Sequence, residues 1–526
     1  MPVWKNFINM MKDLTVRPED VKVARKPPEE TVVKDQDAPL SASKIKEILG
    51  KSSDVIFREF FIAGEEDIHV MLAVIDGMID KIYLDQFILR VLMVDLPQNP
   101  KIKTLTEKNI LEECERNFLP GVELKTVEKV EEAYTAVLSG DAVLFFGETP
   151  KALVVGARGW PNRGVAEPET EAVVRGPREG FSETLRINTT LLRRKLKHPS
   201  LRLLSMTIGD ITNTNVVVTY LEGIAAPDMV SEVLKRLKKI KIDGVLESAY
   251  LEEMIEDVPY SPFPQISYTE RPDVMAAGLL EGKVGILVDG TPIGLMVPVV
   301  LSDFFQVSED YYERTMIVIL VRMVRYIGAV ISILAPSIYI AVTTFHHEIL
   351  PTALALSIAA GRDGVPFPAL AEAVVMTVIL EILQEAGLRL PKPIGSTIGI
   401  VGALVIGDAA VKASLVSPFM VIIVGITAVS SYAIPSYDLA IGIRLVRFPL
   451  ILLSGMLGFY GIAFGLYTLL IHLVSLRSFG VPYLSPLAPF HLRTFLQDTF
   501  VRAPWWALKR RPDFIDVAEP HSRRKK

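Results

Sequence analysis

The sequence predicts an α/β soluble N-terminal region of two subdomains, followed by an α-helical polytopic membrane domain. Three observations lead there. Residues 1–282 have the mixed, charged composition of soluble protein, whereas 316–476 are overwhelmingly apolar. Short strand-like and helix-like runs alternate through the first part, the pattern of an α/β unit. Three uncharged runs of 20, 25 and 26 residues, at 326–345, 413–437 and 449–474, reach the length a membrane span needs.

In chain order, residues 1–50 read as a flexible, charged arm ending in a short helix near Ser43–Leu49. Residues 51–155 form the first cytoplasmic subdomain. Val55–Ile62 and His69–Ile75 read as strands, Tyr83–Val94, Glu107–Phe118 and Thr126–Leu138 as helices, and Ala142–Phe146 and Ala152–Val155 as strands. Residues 156–180, rich in Gly, Pro and charge, read as a connecting loop. The second subdomain, 181–275, has helices at Ser182–Leu196, Pro227–Ile240 and Ser248–Ile255, and strands at Leu201–Ile208 and Asn215–Leu221. No internal repeat is visible. Residues 276–315 read as a linker with a short apolar segment, Gly290–Ser302, of the length of an interfacial or re-entrant piece.

Within the membrane domain, 316–476, the weaker run Val365–Gly387 carries Glu372, Glu381 and Glu385, and Pro393–Gly407 is only 15 residues long. Arg322 and Arg325 precede the first strong run. From Arg477 onward a basic tail, 477–526, has ten Lys and Arg against four Asp and Glu. By the excess of Lys and Arg on the cytoplasmic side, both termini face the cytoplasm and the number of crossings is even. Four crossings fit, but they leave Arg444 and Arg447 outside against the rule, so six stay open. Trp505 and Trp506 beside Lys509, Arg510 and Arg511 suit a membrane surface.

The net charge of −5 gives no footprint for nucleic acid, and a single cysteine, Cys114, permits no intrachain disulfide. The N-terminus lacks the apolar core of a cleavable signal. Enzyme signatures are absent: His347-Glu348 opens a zinc-binding pattern, but Pro351 stands where the second His belongs. No catalytic residue, cofactor or metal site is expected.

Other residues invite a functional reading. Gly395, Gly399, Ala403 and Gly407 recur every four residues, making a smooth helix-packing stripe, with Asp408 directly after it. A carboxylate at membrane depth is a functional candidate by default. Val401 and Val405 lie off the stripe, one turn apart, as candidates for an apolar gate. Glu372, Glu381 and Glu385 form a second polar face that either attracts cations or pairs with Arg322, Arg325 or Arg389. Gly455, Gly458, Gly461 and Gly465 point to packing in the last run.

The ordered series Glu167–Phe181 (EPETEAVVRGPREGF), Ser261–Gln265, Glu270–Asp273, Asp289–Pro292, Asp310–Tyr312, Gly364–Pro368, Glu385–Pro391, Gly399–Gly402 and Phe479–Pro486 resembles that of the A subunits of the GerA family of spore germination proteins. It covers roughly residues 52–512. The resemblance implies a subunit of a nutrient germinant receptor in the spore inner membrane. Such a subunit is homo-oligomeric and sits in membrane lipid. Its partners are a B-type permease-like subunit and a C-type lipoprotein, and it surrounds an ion pathway. The Glu167–Phe181 segment reads as a conformational coupling or intersubunit contact, or as a solvated loop with internal ion pairs; Arg175, Arg178, Glu179 and the following Arg186 are the coupling-loop candidates. The readings held beside this one are a stage V sporulation paralogue that amplifies germination ion release, a small-solute transporter, and a membrane anchor for a cytoplasmic binding domain.

Overall fold

A computed structural model describes residues 40–512, apart from 63–67, 100–104, 108, 120–122, 160–166, 169, 172, 390–406, 491–494, 496 and 509–510. The described residues fall into two compact units. One takes those within Met1–Glu256, Ile266–Pro298 and Leu508–Lys526, the other those within Asp257–Gln265 and Val299–Ala507.

The first unit opens with helix α1 (Ala42–Leu49), capped by Ser41 Oγ, which accepts from the Lys44 amide at 3.3 Å. Strands β1 (Val55–Ile62), β2 (Ile68–Ile75), β3 (Leu124–Val127), β4 (Ala142–Phe146) and β5 (Ala152–Val155) form one antiparallel sheet in the order β1-β2-β4-β5-β3. Alternation along β2 builds two cores. Val70, Leu72 and Val74 face the irregular helical turns over Leu84–Leu89, Val91–Asp95 and Cys114–Phe118. Met71, Ala73 and Ile75 face α1 and helix α2 (Val130–Leu138). The helix expected over Thr126–Leu138 is therefore a strand and then a helix: Thr126 and Val127 pair with Leu153 and Ala152 before the chain turns at Lys129.

Helix α3 (Leu185–Lys195) leads into strands β6 (Leu201–Ile208) and β7 (Thr214–Leu221). Helices α4 (Pro227–Lys239) and α5 (Ser248–Ile255) follow, then strand β8 (Ser267–Thr269), helix α6 (Pro272–Glu281) and strands β9 (Val284–Val288) and β10 (Gly294–Val297). Their antiparallel sheet has the order β6-β7-β9-β10-β8. This strand order is that of the first sheet. The structure thus contains an internal repeat that the sequence reading missed. The copies correspond down to the turns: Gly140 after α2 and Gly282 after α6 both take positive φ, 93° and 99°, and Thr149-Pro150 before β5 matches Thr291-Pro292 before β10. The segment read as a linker, 276–315, supplies β9 and β10. The middle of its apolar run, Gly294–Val297, is a buried sheet strand rather than an interfacial piece.

The two halves of this unit are clamped together. Arg193 of α3, 1% exposed, donates Nε and Nη2 to Asp54 at 2.7 and 2.9 Å. Arg202 Nη1 reaches the Ile48 carbonyl at 3.0 Å, and the Ser53 amide reaches the Leu203 carbonyl at 2.9 Å.

The second unit is mainly helical: α7 (Thr315–Thr344), α8 (Thr352–Arg362), α9 (Ala369–Arg389), α10 (Pro418–Tyr432), α11 (Tyr437–Leu457) and α12 (Phe459–Ser475). α7 and α11 have the length and hydropathy to cross a membrane; α10 and α12 are apolar and shorter. Two runs read as single spans are different objects. Within the 413–437 run α10 takes 15 residues, started by Ser417 and Pro418 and ended before Pro435, and α11 begins at Tyr437. The 449–474 run is broken at Gly458, whose φ of 60° and ψ of −135° suit only glycine, so α11 and α12 fold into a hairpin. Within it a Cβ on Gly461 would strike the Leu453 carbonyl and one on Gly465 the Leu450 side chain, so both glycines pack against α11. The segment Asp257–Gln265 lies on these helices. The Pro262 carbonyl abuts Gly442, Ser261 Oγ is 2.9 Å from His472 Nε2, and Ser478 Oγ donates to the Gln265 carbonyl at 2.7 Å. The expected basic tail begins as a small hairpin of strands β11 (Arg477–Ser478) and β12 (Val481–Pro482), with Tyr483 buried beyond it.

Candidate functional site

The acids of α9 do not share one water-facing side. Glu372, 1% exposed, accepts from the Ser417 amide at 2.9 Å and pairs with Arg362 at 3.1 Å. It thereby joins the end of α8, the start of α9 and the N-terminus of α10. Glu381 instead meets α11. Its Oε2 accepts from Arg444 Nη1 at 2.9 Å, and its Oε1 lies 3.7 Å from Arg447 Nη1. Arg444 also donates to Gln384 Oε1 at 2.5 Å. Arg447 is 1% exposed and donates to the carbonyl and hydroxyl oxygens of Ser332, both at 2.8 Å. The two arginines that broke the topology rule are thus inside the helix bundle. The partners of Glu372 and Glu381 are Arg362, Arg444 and Arg447, so of the two alternatives it is pairing that holds for these acids, with arginines other than Arg322 and Arg325. Glu385 is exposed.

Arg322 and Arg325 serve another cluster that sequence reasoning missed. Arg322, fully buried, donates Nε to Asp310 at 2.9 Å and Nη1 to Asp498 at 3.0 Å. Arg325 Nη1 adds a bond to Asp310 at 2.8 Å, and Tyr311 Oη donates to Asp498 at 2.9 Å. The Arg502 guanidinium sits 5.8 Å from the Tyr311 ring and 5.6 Å from Trp505, whose indole donates to the Tyr311 carbonyl. This cluster fastens the chain after α12 to the start of α7. The available signal was charge at the edge of an apolar run: Asp310 and Arg322 each stand where desolvation demands a partner.

Gly407 and Asp408 lie in helical backbone over 407–412. Gly407 is buried against Val421, while Asp408 is exposed and pairs with Lys412 at 2.6 Å. Gly395, Gly399, Ala403, Val401 and Val405 lie outside the described residues.

In the first unit, the 167–181 segment is strapped to the edge of the second sheet. Buried Arg271 donates to the carbonyls of Glu171 and Pro177 at 3.1 and 2.9 Å, and the Phe181 amide donates to the Glu270 carbonyl at 2.7 Å. Glu171 accepts from Thr269 Oγ1 at 2.6 Å and from the Glu270 amide at 2.9 Å. Burial still pushes its carboxyl above the usual range, against those two bonds. Two separate sequence motifs are therefore one constellation. Arg178 pairs with Glu167 at 3.5 Å, and Glu179 with Arg194 and Lys195 at 3.1 and 3.3 Å. Arg186 pairs with Asp76 of the first half, and Arg175 is exposed at the tip. Among the described residues no three His, Cys, Asp or Glu side chains converge as a metal ion would need.

Comparison with known proteins bears on all of these elements. The family described as Bacillus/Clostridium GerA spore germination protein matches residues 43–514. Spore germination protein KA of Bacillus subtilis (strain 168) is 42% identical over 473 residues, covering 90% of this chain and 86% of that protein. The uncharacterized membrane protein YfkQ of the same organism is 43% identical over 485 residues, covering 91% and 92%. The crystal structure of the N-terminal domain of the A subunit of the Bacillus megaterium germinant receptor GerK3 is 35% identical. It covers 49% of this chain and 93% of that one, with a TM-score of 0.39. Both clusters and the strapped segment fall inside the matched range, and the chain belongs to the GerA family of spore germination proteins.

Proposed function

We propose that this chain is the A subunit of a nutrient germinant receptor in the spore inner membrane, with both termini cytoplasmic. In this reading, copies oligomerise around an ion pathway. A B-type permease-like subunit takes the nutrient, and a C-type lipoprotein completes the complex. The observation that carries the reading is the family match across 43–514.

The helical unit supports the membrane part. α12 exposes Tyr460, Phe464 and Tyr467 at 80%, 61% and 63%, a face that needs lipid or another subunit. The contacts also tie these helices to one another. Glu372 at the start of α9 holds Ser417, and Tyr339 near the end of α7 meets Ser417 as well.

Two acids of this region, Glu372 and Glu381, are bound to arginines. Asp408, which pairs with Lys412 on its own helix, and Glu385 are exposed on the single chain, where this reading places the pathway of the oligomer. Val401 and Val405 are proposed as the constriction, and the stripe Gly395, Gly399, Ala403 and Gly407 as the packing surface. Spores carrying Val405→Ala test this. Shrinking a gate residue wets the closed pathway, so unstimulated spores are expected to release ions. A wild-type baseline removes Val405 from the gate. Asp408→Asn is expected to slow cation release after nutrient while the complex still assembles.

A further inference from the structure

Pro336 lies inside α7. Proline has no amide hydrogen, so the carbonyl four residues earlier, that of Ser332, loses its helix donor. In a buried helix that oxygen needs a partner from elsewhere. The partner is Arg447 of α11. Its Nε donates to the Ser332 carbonyl at 2.8 Å and its Nη2 to Ser332 Oγ at 2.8 Å, with Ser332 fully buried. The third nitrogen, Nη1, has no hydrogen bond. Neither has Glu381 Oε1, which lies 3.7 Å from it, beyond hydrogen-bond reach. A donor and an acceptor, both buried and both unsatisfied, thus face each other across a small gap.

We propose that Arg447 is a detachable substitute for the peptide donor that Pro336 removes, and that Glu381 is the competitor that draws it away. α7 then contains a hinge at Pro336 with two states. In one, the guanidinium completes the helix at Ser332 and the bend is braced. In the other, the guanidinium moves onto Glu381 and the Ser332 carbonyl is released, leaving α7 free to bend. Arg444 holds the other oxygen of Glu381 at 2.9 Å, which keeps the competitor aimed between the two arginines. Arg447 is here a positioning residue, because it acts on the shape of α7 and touches no ligand.

The proposal makes an unusual demand: restoring the missing amide should make Arg447 dispensable. The test uses the full-length chain in lipid nanodiscs and reads backbone amide exchange over α7 together with the thermal midpoint. It therefore stands apart from the receptor reading. Arg447→Gln is expected to speed exchange in α7 around Pro336 by at least ~10-fold. Pro336→Ala alone should leave it at or below the wild-type rate. The double variant Pro336→Ala, Arg447→Gln should return to within about threefold of wild type, a strong non-additivity. A double variant that exchanges as fast as Arg447→Gln overturns the substitution. Should Arg447→Gln fail to fold, Arg447→Lys, which keeps one donor and loses the paired geometry, carries the same comparison. Glu381→Gln decides the competitor: slower α7 exchange than wild type supports it, and faster exchange overturns it.

Discussion

Cys114 is buried in the core of the first sheet beside Leu72 and Leu144, and it is the only thiol in the chain. Burial pushes the thiol up to about 12, and Glu113 adds to the shift, so almost no thiolate exists at neutral pH. Alkylation of the folded protein at pH 8 is therefore expected to reach under about 5% over a period that fully labels the denatured chain. Rapid labelling would show that this core opens. Glu171 gives a pH prediction. Its folded carboxyl is raised by burial above the ordinary value of 4.5, so its contribution favours the fold below that value. The contribution is lost as pH rises through the folded value. Glu171→Gln, which stays neutral and keeps an acceptor for Thr269, is expected to flatten the fall in thermal midpoint as pH rises above 4.5; an unchanged slope would exclude Glu171 as a source of that fall. Single residues of this kind were half legible. Glu372 and Glu381 stood out because carboxylates interrupt an apolar run, yet their partners, Arg362 and Arg444, lie 10 and 63 positions away. No helical periodicity links such positions.

Elements were legible wherever one periodicity ran uninterrupted between turn residues. β1, β6 and α5 keep the boundaries read from the sequence, because alternation in the strands and Glu247 before the helix mark them. The apolar runs of the second unit were harder, because apolarity measures length in lipid and carries no sign of a turn. The α11–α12 hairpin turns on Gly458 without a polar residue, and glycine is common in straight spans too. A Cβ at Gly458 would meet the His346 ring at 2.8 Å and Phe345 at 3.0 Å, in addition to the backbone strain. Gly458→Ala is expected to cost about 1–3 kcal/mol, seen as a lower thermal midpoint of the full chain in detergent. A neutral effect would mean that the two helices join without this turn.

For the whole molecule, the repeated sheet escaped the sequence reading because the copies agree at only a few places, such as Leu138 and Gly140 with Leu280 and Gly282. Strand order becomes visible only through pairing. The clamp between the halves was equally hidden, since Asp54 and Arg193 are 139 positions apart. Removing one side of so buried a pair leaves a charge without compensation. Arg193→Ala is expected to destabilise by about 3–5 kcal/mol and to open the 156–180 stretch to limited proteolysis. Wild-type resistance would show that the halves hold together without the clamp. The Asp257–Gln265 strap carries a consequence for inheritance. It is encoded between α5 and β8, which belong to the first unit, yet its partners Gly442, His472 and Ser478 are encoded some two hundred codons later. A recombination breakpoint near residue 299, the obvious seam in the gene, would seat one parent's strap on the other parent's helices. Hybrid chains made by exchanging N-terminal halves therefore need residues 257–265 drawn from the same parent as the helical region.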